Sequence, residues 1–155
     1  MHTSVELFIE GASQSDVFVH VDVLDRYPPW MRLVHRVEAL PRDDGRLAWW
    51  VELRARVGPF ARSKQLRMVR TAIEPDRFVR FERVQPDERD HANWILDVHL
   101  APADGGTHVT MRLAYTGELW TGGVLGRVLD EEIRRGQDGL RRVVAERRAS
   151  SDTPG

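Results

Sequence analysis

TGGVLGRVLDEEIRRGQDGLRRVVAERR, residues Thr121–Arg148, is the stretch that decides the architecture. Val124, Leu125, Val128, Leu129, Ile133, Leu140, Val143 and Val144 recur at the helical period and form one apolar stripe among charged residues. Thr121 suits the N-cap, and the helix is expected to run to about Arg148, leaving 149–155 as a flexible polar tail. At 1.5 Å per residue such a helix is roughly 40 Å long. A stripe of that length needs a comparably long apolar surface to cover it.

The preceding chain supplies that surface with a period of two. Trp49, Val51, Leu53, Ala55 and Val57 alternate with Trp50, Glu52, Arg54 and Arg56. Trp94, Leu96, Val98 and Leu100 alternate with Asp97 and His99, and Val109, Met111, Leu113 and Tyr115 with Thr110, Arg112 and Thr116. One sheet face is therefore buried and the other solvated. Turn signals at 41–45, 58–59, 74–76, 85–90 and 103–106 divide Met31 to Gly117 into about six strands joined as hairpins. Another strand covers Val5 to Glu10, and Ser13 or Ser15 can cap a short helix carrying Val17, Phe18, Val21 and Leu24. Pro28 and Pro29 end it.

The order of elements, with Asp25-Arg26-Tyr27-Pro28-Pro29-Trp30-Met31 after the short helix and Gly105-Gly106-Thr107-His108-Val109-Thr110 opening the last strand, resembles the START-like, or SRPBCC, superfamily. Within it the chain is most similar to the polyketide cyclase/dehydrase group, over about residues 4 to 147. The resemblance implies an α+β helix-grip fold of the Bet v 1 and START type. A curved antiparallel sheet of about seven strands wraps one long C-terminal helix, in a single domain over residues 1–148. It further implies a pocket between sheet and helix for an apolar small molecule: a lipid, a polyketide or an aromatic compound. Superfamily members include carriers and cyclases, so the fold alone does not select an activity.

With 155 residues and 41% hydrophobic composition, the chain suits one core. The 23 basic and 24 acidic residues nearly cancel, so no global field draws it to nucleic acid or an anionic membrane. Lys64 is the only lysine among the bases, a bias that fits genome composition better than selected guanidinium chemistry. There is no cysteine, hence no disulfide or thiolate metal site. No apolar run is long enough to cross a bilayer, and a soluble cytoplasmic protein, monomer or homodimer, is the expectation. Neither a metal nor a cofactor is expected. His2, His20, His35, His91, His99 and His108 are dispersed, and the glycines at 122, 123 and 126 precede no parallel strand that would make a nucleotide turn of them.

The expected ligand wall comprises Trp49, Val51, Leu53, Met68, Arg70, Phe81, Trp94, Leu96, Met111, Leu113 and Tyr115 on the sheet, with Leu129, Glu132, Ile133 and Gly136 on the helix. Arg70 shares strand parity with Leu66, Met68 and Ala72, and Glu132 borders the helical stripe. Both therefore need a polar partner: each other, water, or a polar group of the ligand. Gly136 interrupts the stripe, either to let a bulky Trp pack closely or to leave volume for ligand. Two functions follow. In one, the pocket binds an apolar molecule; in the other, it is a polyketide cyclase or aromatase in which Arg70 or Tyr115 polarises a carbonyl. A partner-binding module anchored on Trp50 or Trp120 is a third reading, set against the commonness of isolated apolar residues on protein surfaces.

Overall fold

Alternation produces the sheet directly. In the computed structural model, which describes residues 2–84, 93–116 and 124–152, strand β1 (His2–Glu10) buries Thr3, Val5, Leu7 and Ile9 and exposes the residues between them. Helix α1 (Gln14–Val21) follows. Ser13 is its N-cap, accepting from the Asp16 amide while the Asp16 carboxylate accepts from the Ser13 amide, a reciprocal pair that satisfies two free donors. A single 3₁₀ turn at Leu24–Arg26 leads into β2 (Val34–Asp43).

The meander continues through β3 (Arg46–Val57), β4 (Phe60–Glu74), β5 (Phe78–Arg83), β6 (Trp94–Ala103) and β7 (Gly106–Tyr115). All seven strands pair antiparallel in the order β1-β7-β6-β5-β4-β3-β2. Sequential hairpins build six of them, and β1 closes onto β7 with Val5 opposite Met111. Register shifts between Val34 and Arg36, Leu40 and Asp43, and Arg70 and Ala72 mark where the sheet bends. The last of these changes a parity. Arg70 faces Phe81 on the inner surface, whereas Ala72 faces Arg80, whose guanidinium meets Asp97 on the outer one. The shared parity expected for Arg70 and Ala72 therefore ends at the bulge.

Helix α2 (Val124–Asp152) grips the concave face. It continues four residues past the expected end at Arg148, taking 149–152 out of the tail; 153–155, like Thr121, Trp120 and His91, lie outside the described residues. Leu129, Ile133, Leu140 and Val144 are buried in the core cluster with the inner faces of the strands. Each such side chain contributes roughly 1.5–3 kcal/mol on leaving water. At the outer side of the helix, Gln137 donates to the Glu6 carbonyl at 2.9 Å and Arg141 to that of Phe8 at 3.3 Å, tying α2 to β1.

Candidate functional site

The segment between α1 and β2 is built around a set of free carbonyls. A helix leaves its last four C=O groups without intrahelical donors. At the end of α1 four side chains supply them: Arg26 donates to the Val19 carbonyl at 2.8 Å, the Trp30 indole to that of His20 at 3.1 Å, the Tyr27 hydroxyl to that of Val21 at 2.9 Å, and Arg70 to that of Asp22 at 2.9 Å. Three of those donors belong to Asp25-Arg26-Tyr27-Pro28-Pro29-Trp30-Met31, which explains why that segment needs its aromatic and cationic residues. Burial lowers the basicity of the Arg70 guanidinium, an effect the nearby Asp22 offsets only in part, and burial raises the pKa of the Asp22 carboxyl.

The same segment is then clamped to α2. Arg142 donates to the Pro29 carbonyl at 3.0 Å, and a Cβ on Gly139 would lie 2.3 Å from the Trp30 carbonyl oxygen. Only a glycine lets helix and segment touch there. Tyr27 is fully buried, its ring 4.7 Å from Trp30 and edge-on to Phe81 at 5.9 Å, and Phe81 in turn meets Trp49 at 5.7 Å. Trp49 donates its indole N–H to Asp25.

Below this aromatic cap lies an apolar cavity of about 60 Å³. Its wall is formed by Leu24, Tyr27, Met31, Leu33 and Val34 from the cap and the start of β2, by Val51, Leu53, Leu66, Met68, Trp94, Leu96 and Leu113 from the sheet, and by Ile133 from α2. Of the residues expected from the sequence, Val51, Leu53, Met68, Trp94, Leu96, Leu113 and Ile133 come together here. The others lie elsewhere. Trp49 and Phe81 pack in the aromatic chain above, and Met111 and Leu129 are buried core. Tyr115 stacks on Trp94 with ring centres 5.3 Å apart, and burial raises its hydroxyl pKa.

Arg70 and Glu132 do not meet. Arg70 caps α1, while Glu132, 8% exposed, is held by Arg135 at 3.2 Å and Arg32 at 3.7 Å. Its second carboxylate oxygen is buried without a hydrogen-bond partner among the described residues, as is the indole nitrogen of Trp94. A Cβ on Gly136 would meet the Sδ and Cε of Met31 at 3.1 Å and the Trp30 ring at 3.6 Å. Close packing, not cavity volume, occupies that gap in the stripe. Gly136 does border a separate surface groove of about 370 Å³ with Arg32, Arg135 and Arg142. Among the described residues no three His, Asp or Glu side chains gather in a way that would hold a metal ion.

Tyr27, Met31, Leu33 and Val34 were not legible as wall residues because the segment carrying them has no period from which to assign a face. Leu66 did carry a signal, since it lies two residues before Met68 on one strand.

This architecture recurs among solved structures. TTHA0849 from Thermus thermophilus superposes with a TM-score of 0.73 at 17% identity, covering 99% of this chain and 100% of that one. A START superfamily protein from Mycobacterium smegmatis gives 0.68 at 15% identity over 94% and 97%. The Zhui aromatase/cyclase from Streptomyces gives 0.67 at 13% identity over 99% of both chains. At such identities these likenesses establish the helix-grip fold. No curated protein sequence matches the chain. The sequence model described as polyketide cyclase/dehydrase and lipid transport, however, matches residues 2–145, nearly the whole length. The chain belongs to the polyketide cyclase/dehydrase and lipid-transport family.

Proposed function

We propose that the protein binds an apolar small molecule, a lipid, polyketide or aromatic compound, in the cavity between its sheet and α2, and that binding rather than catalysis is its task. The observation that carries this reading is the composition of the wall: thirteen side chains, all aliphatic, aromatic or methionine, with no charged group among them. Tyr27 brings the wall's only hydroxyl, and that hydroxyl is spent on the Val21 carbonyl. An apolar ligand entering such a space loses water contact and breaks no hydrogen bond of the wall.

A cyclase or aromatase would need a donor aimed at a substrate carbonyl. Arg70 spends its Nη1 on α1, and neither Tyr115 nor Glu132 borders the cavity. The Zhui aromatase/cyclase shares this fold, but here Arg70 is committed to α1, and the wall donor left without a partner among the described residues is the neutral indole N–H of Trp94.

The cavity, at about 60 Å³, is far below the several hundred Å³ of a typical ligand pocket, so binding must widen it. Met31 and Met68, unbranched and easily re-rotated, are the wall residues best able to move. The test is titration with the neutral fluorophore N-phenyl-1-naphthylamine, together with native mass spectrometry of the freshly purified protein. Binding is expected in the parent and loss of at least about tenfold in Leu113→Trp, which fills the cavity. Equal affinity in Leu113→Trp, with its fold intact by circular dichroism, would overturn the reading.

A further inference from the structure

Formal charge is −1 over the whole chain, yet from Leu53 to Ile73 there are six cations and no carboxylate. Two of the six are engaged: Arg67 with Asp43 at 3.3 Å and Arg70 with the Asp22 carbonyl at 2.9 Å. The other four, Arg54, Arg56, Arg62 and Lys64, crowd the outer half of the β3–β4 hairpin, and among the described residues none forms an ion pair. Arg54, Arg56 and Arg62 are exposed. At the tip, Gly58 with φ 62 opens a two-residue turn, and Phe60 beyond it is 64% exposed, the most exposed large apolar side chain described.

Two features of this hairpin select its partner. Arg54 and Arg56 project from one face, opposite Ser63 and Ala61, while Arg62 and Lys64 project from the other, opposite Ala55 and Leu53. A folded protein or a nucleic acid lying along the hairpin would meet one face and leave half the cations unused. A planar interface entered tip-first meets both faces at once. The order along the axis, an apolar tip followed by a collar of cations, is also the order of hydrocarbon and anionic headgroups met from the inside of a bilayer outward. Furthermore, Leu53 and Leu66 at the base of the collar line the apolar cavity, so the hairpin is at the cavity's end of the sheet.

We propose that the tip of the β3–β4 hairpin docks the protein on an anionic lipid surface, with Phe60 entering the headgroup layer and Arg54, Arg56, Arg62 and Lys64 meeting the lipid phosphates. Docking is peripheral and reversible, and it presents the cavity end of the fold to the membrane. This deepens the apolar-ligand reading by naming where such a ligand is collected or delivered. Docking is measured without any cavity ligand, so either reading can fail alone.

The experiment is flotation of the full-length protein with vesicles of phosphatidylcholine alone or mixed with phosphatidylglycerol, at low and high salt. Binding is expected to the mixed vesicles at low salt, weakening as salt screens the charges. The triple variant Arg54→Gln/Arg56→Gln/Arg62→Gln should lose on the order of a hundredfold in partition coefficient, about fivefold per arginine. Phe60→Ser should lose about tenfold. Both variants should keep the parent's thermal unfolding midpoint and its affinity for N-phenyl-1-naphthylamine. Equal binding to neutral vesicles, no binding at low salt, or full binding by either variant overturns the proposal. So does retention on RNA or an acidic protein without vesicle binding, which would assign the cations to another class of partner.

Discussion

The C-terminal end of α1 and the tip of the β3–β4 hairpin are both furnished with arginine and aromatic residues, and they use them in opposite ways. At α1, Arg26, Tyr27, Trp30 and Arg70 each reach one of four consecutive carbonyls, so every donor named closes a backbone group that the helix itself leaves open. At the hairpin, Arg54, Arg56, Arg62 and Lys64 reach no carboxylate among the described residues, and Phe60 packs against no core. The same residue types thus hold the fold together in one place and stand free of it in the other. Composition cannot separate the two uses, because a guanidinium's role depends on whether a buried acceptor lies within its reach. The difference also divides the consequences of mutation: changes at α1 should appear as lost stability, changes at the hairpin as lost surface attraction with stability unaffected.

The largest effect expected on the α1 side comes from the clamp that holds the cap segment to α2. Gly139→Ala places a methyl group where the Trp30 carbonyl already lies 2.3 Å away, forcing helix and cap apart. A loss of about 3 kcal/mol is expected in urea unfolding. Gly136→Ala, by contrast, meets the end of the flexible Met31 side chain at 3.1 Å and the Trp30 ring at an ordinary 3.6 Å, and its helical propensity gain of about 1 kcal/mol offsets the tighter contact. Its stability should stay within about 1 kcal/mol of the parent, and an equal loss in both variants would remove the distinction drawn between a backbone and a side-chain neighbour.

Next in size is the direct contrast of the two arginine sets. Arg70→Met leaves the Asp22 carbonyl without its charged donor and should cost about 2 kcal/mol by the same measurement. Arg54→Met, at the exposed collar, should cost less than about 0.5 kcal/mol. Comparable losses would show that the hairpin cations have a structural use as well.

The smallest effect is a pH dependence at α1. Burial, with Arg147 and Arg26 nearby, lowers the His20 pKa below the ordinary 6.5. The unfolded chain therefore takes up a proton first as pH falls below 6.5, and stability declines from there until the folded state also titrates. Above that window both states are neutral and His20 contributes no slope. His20→Gln should flatten the decline on the acid side of 6.5 in thermal melts; an unchanged slope would mean that other groups carry it.

Periodicity makes most of the framework legible in the sequence. The stripe of α2 from Leu129 to Val144 and the alternations of β3, β6 and β7 name which side chains face inward, because a regular element repeats its direction in space. Six of the cavity's wall residues follow from these four elements, and Met68 from the parity it shares with Leu66 on β4. What periodicity could not supply lies where the backbone is irregular. The bulge between Arg70 and Ala72 changes the face on which the strand's side chains emerge, and the aperiodic stretch from Tyr27 to Val34 supplies much of the cap.

The sequence by itself determined that a long amphipathic helix must lie on a one-sided sheet, since no other arrangement buries both apolar surfaces. Only the tertiary structure decided what each of these positions meets: Arg70 a helix end, Glu132 two surface arginines through one carboxylate oxygen, Gly136 the Met31 side chain. Apart from the Glu132–Arg135 pair within α2, those assignments depend on approaches of about 3–4 Å between segments far apart in the chain, a distance that no residue pattern encodes. The four hairpin cations needed both readings, the sequence to reveal a run without carboxylates and the fold to leave it unanswered.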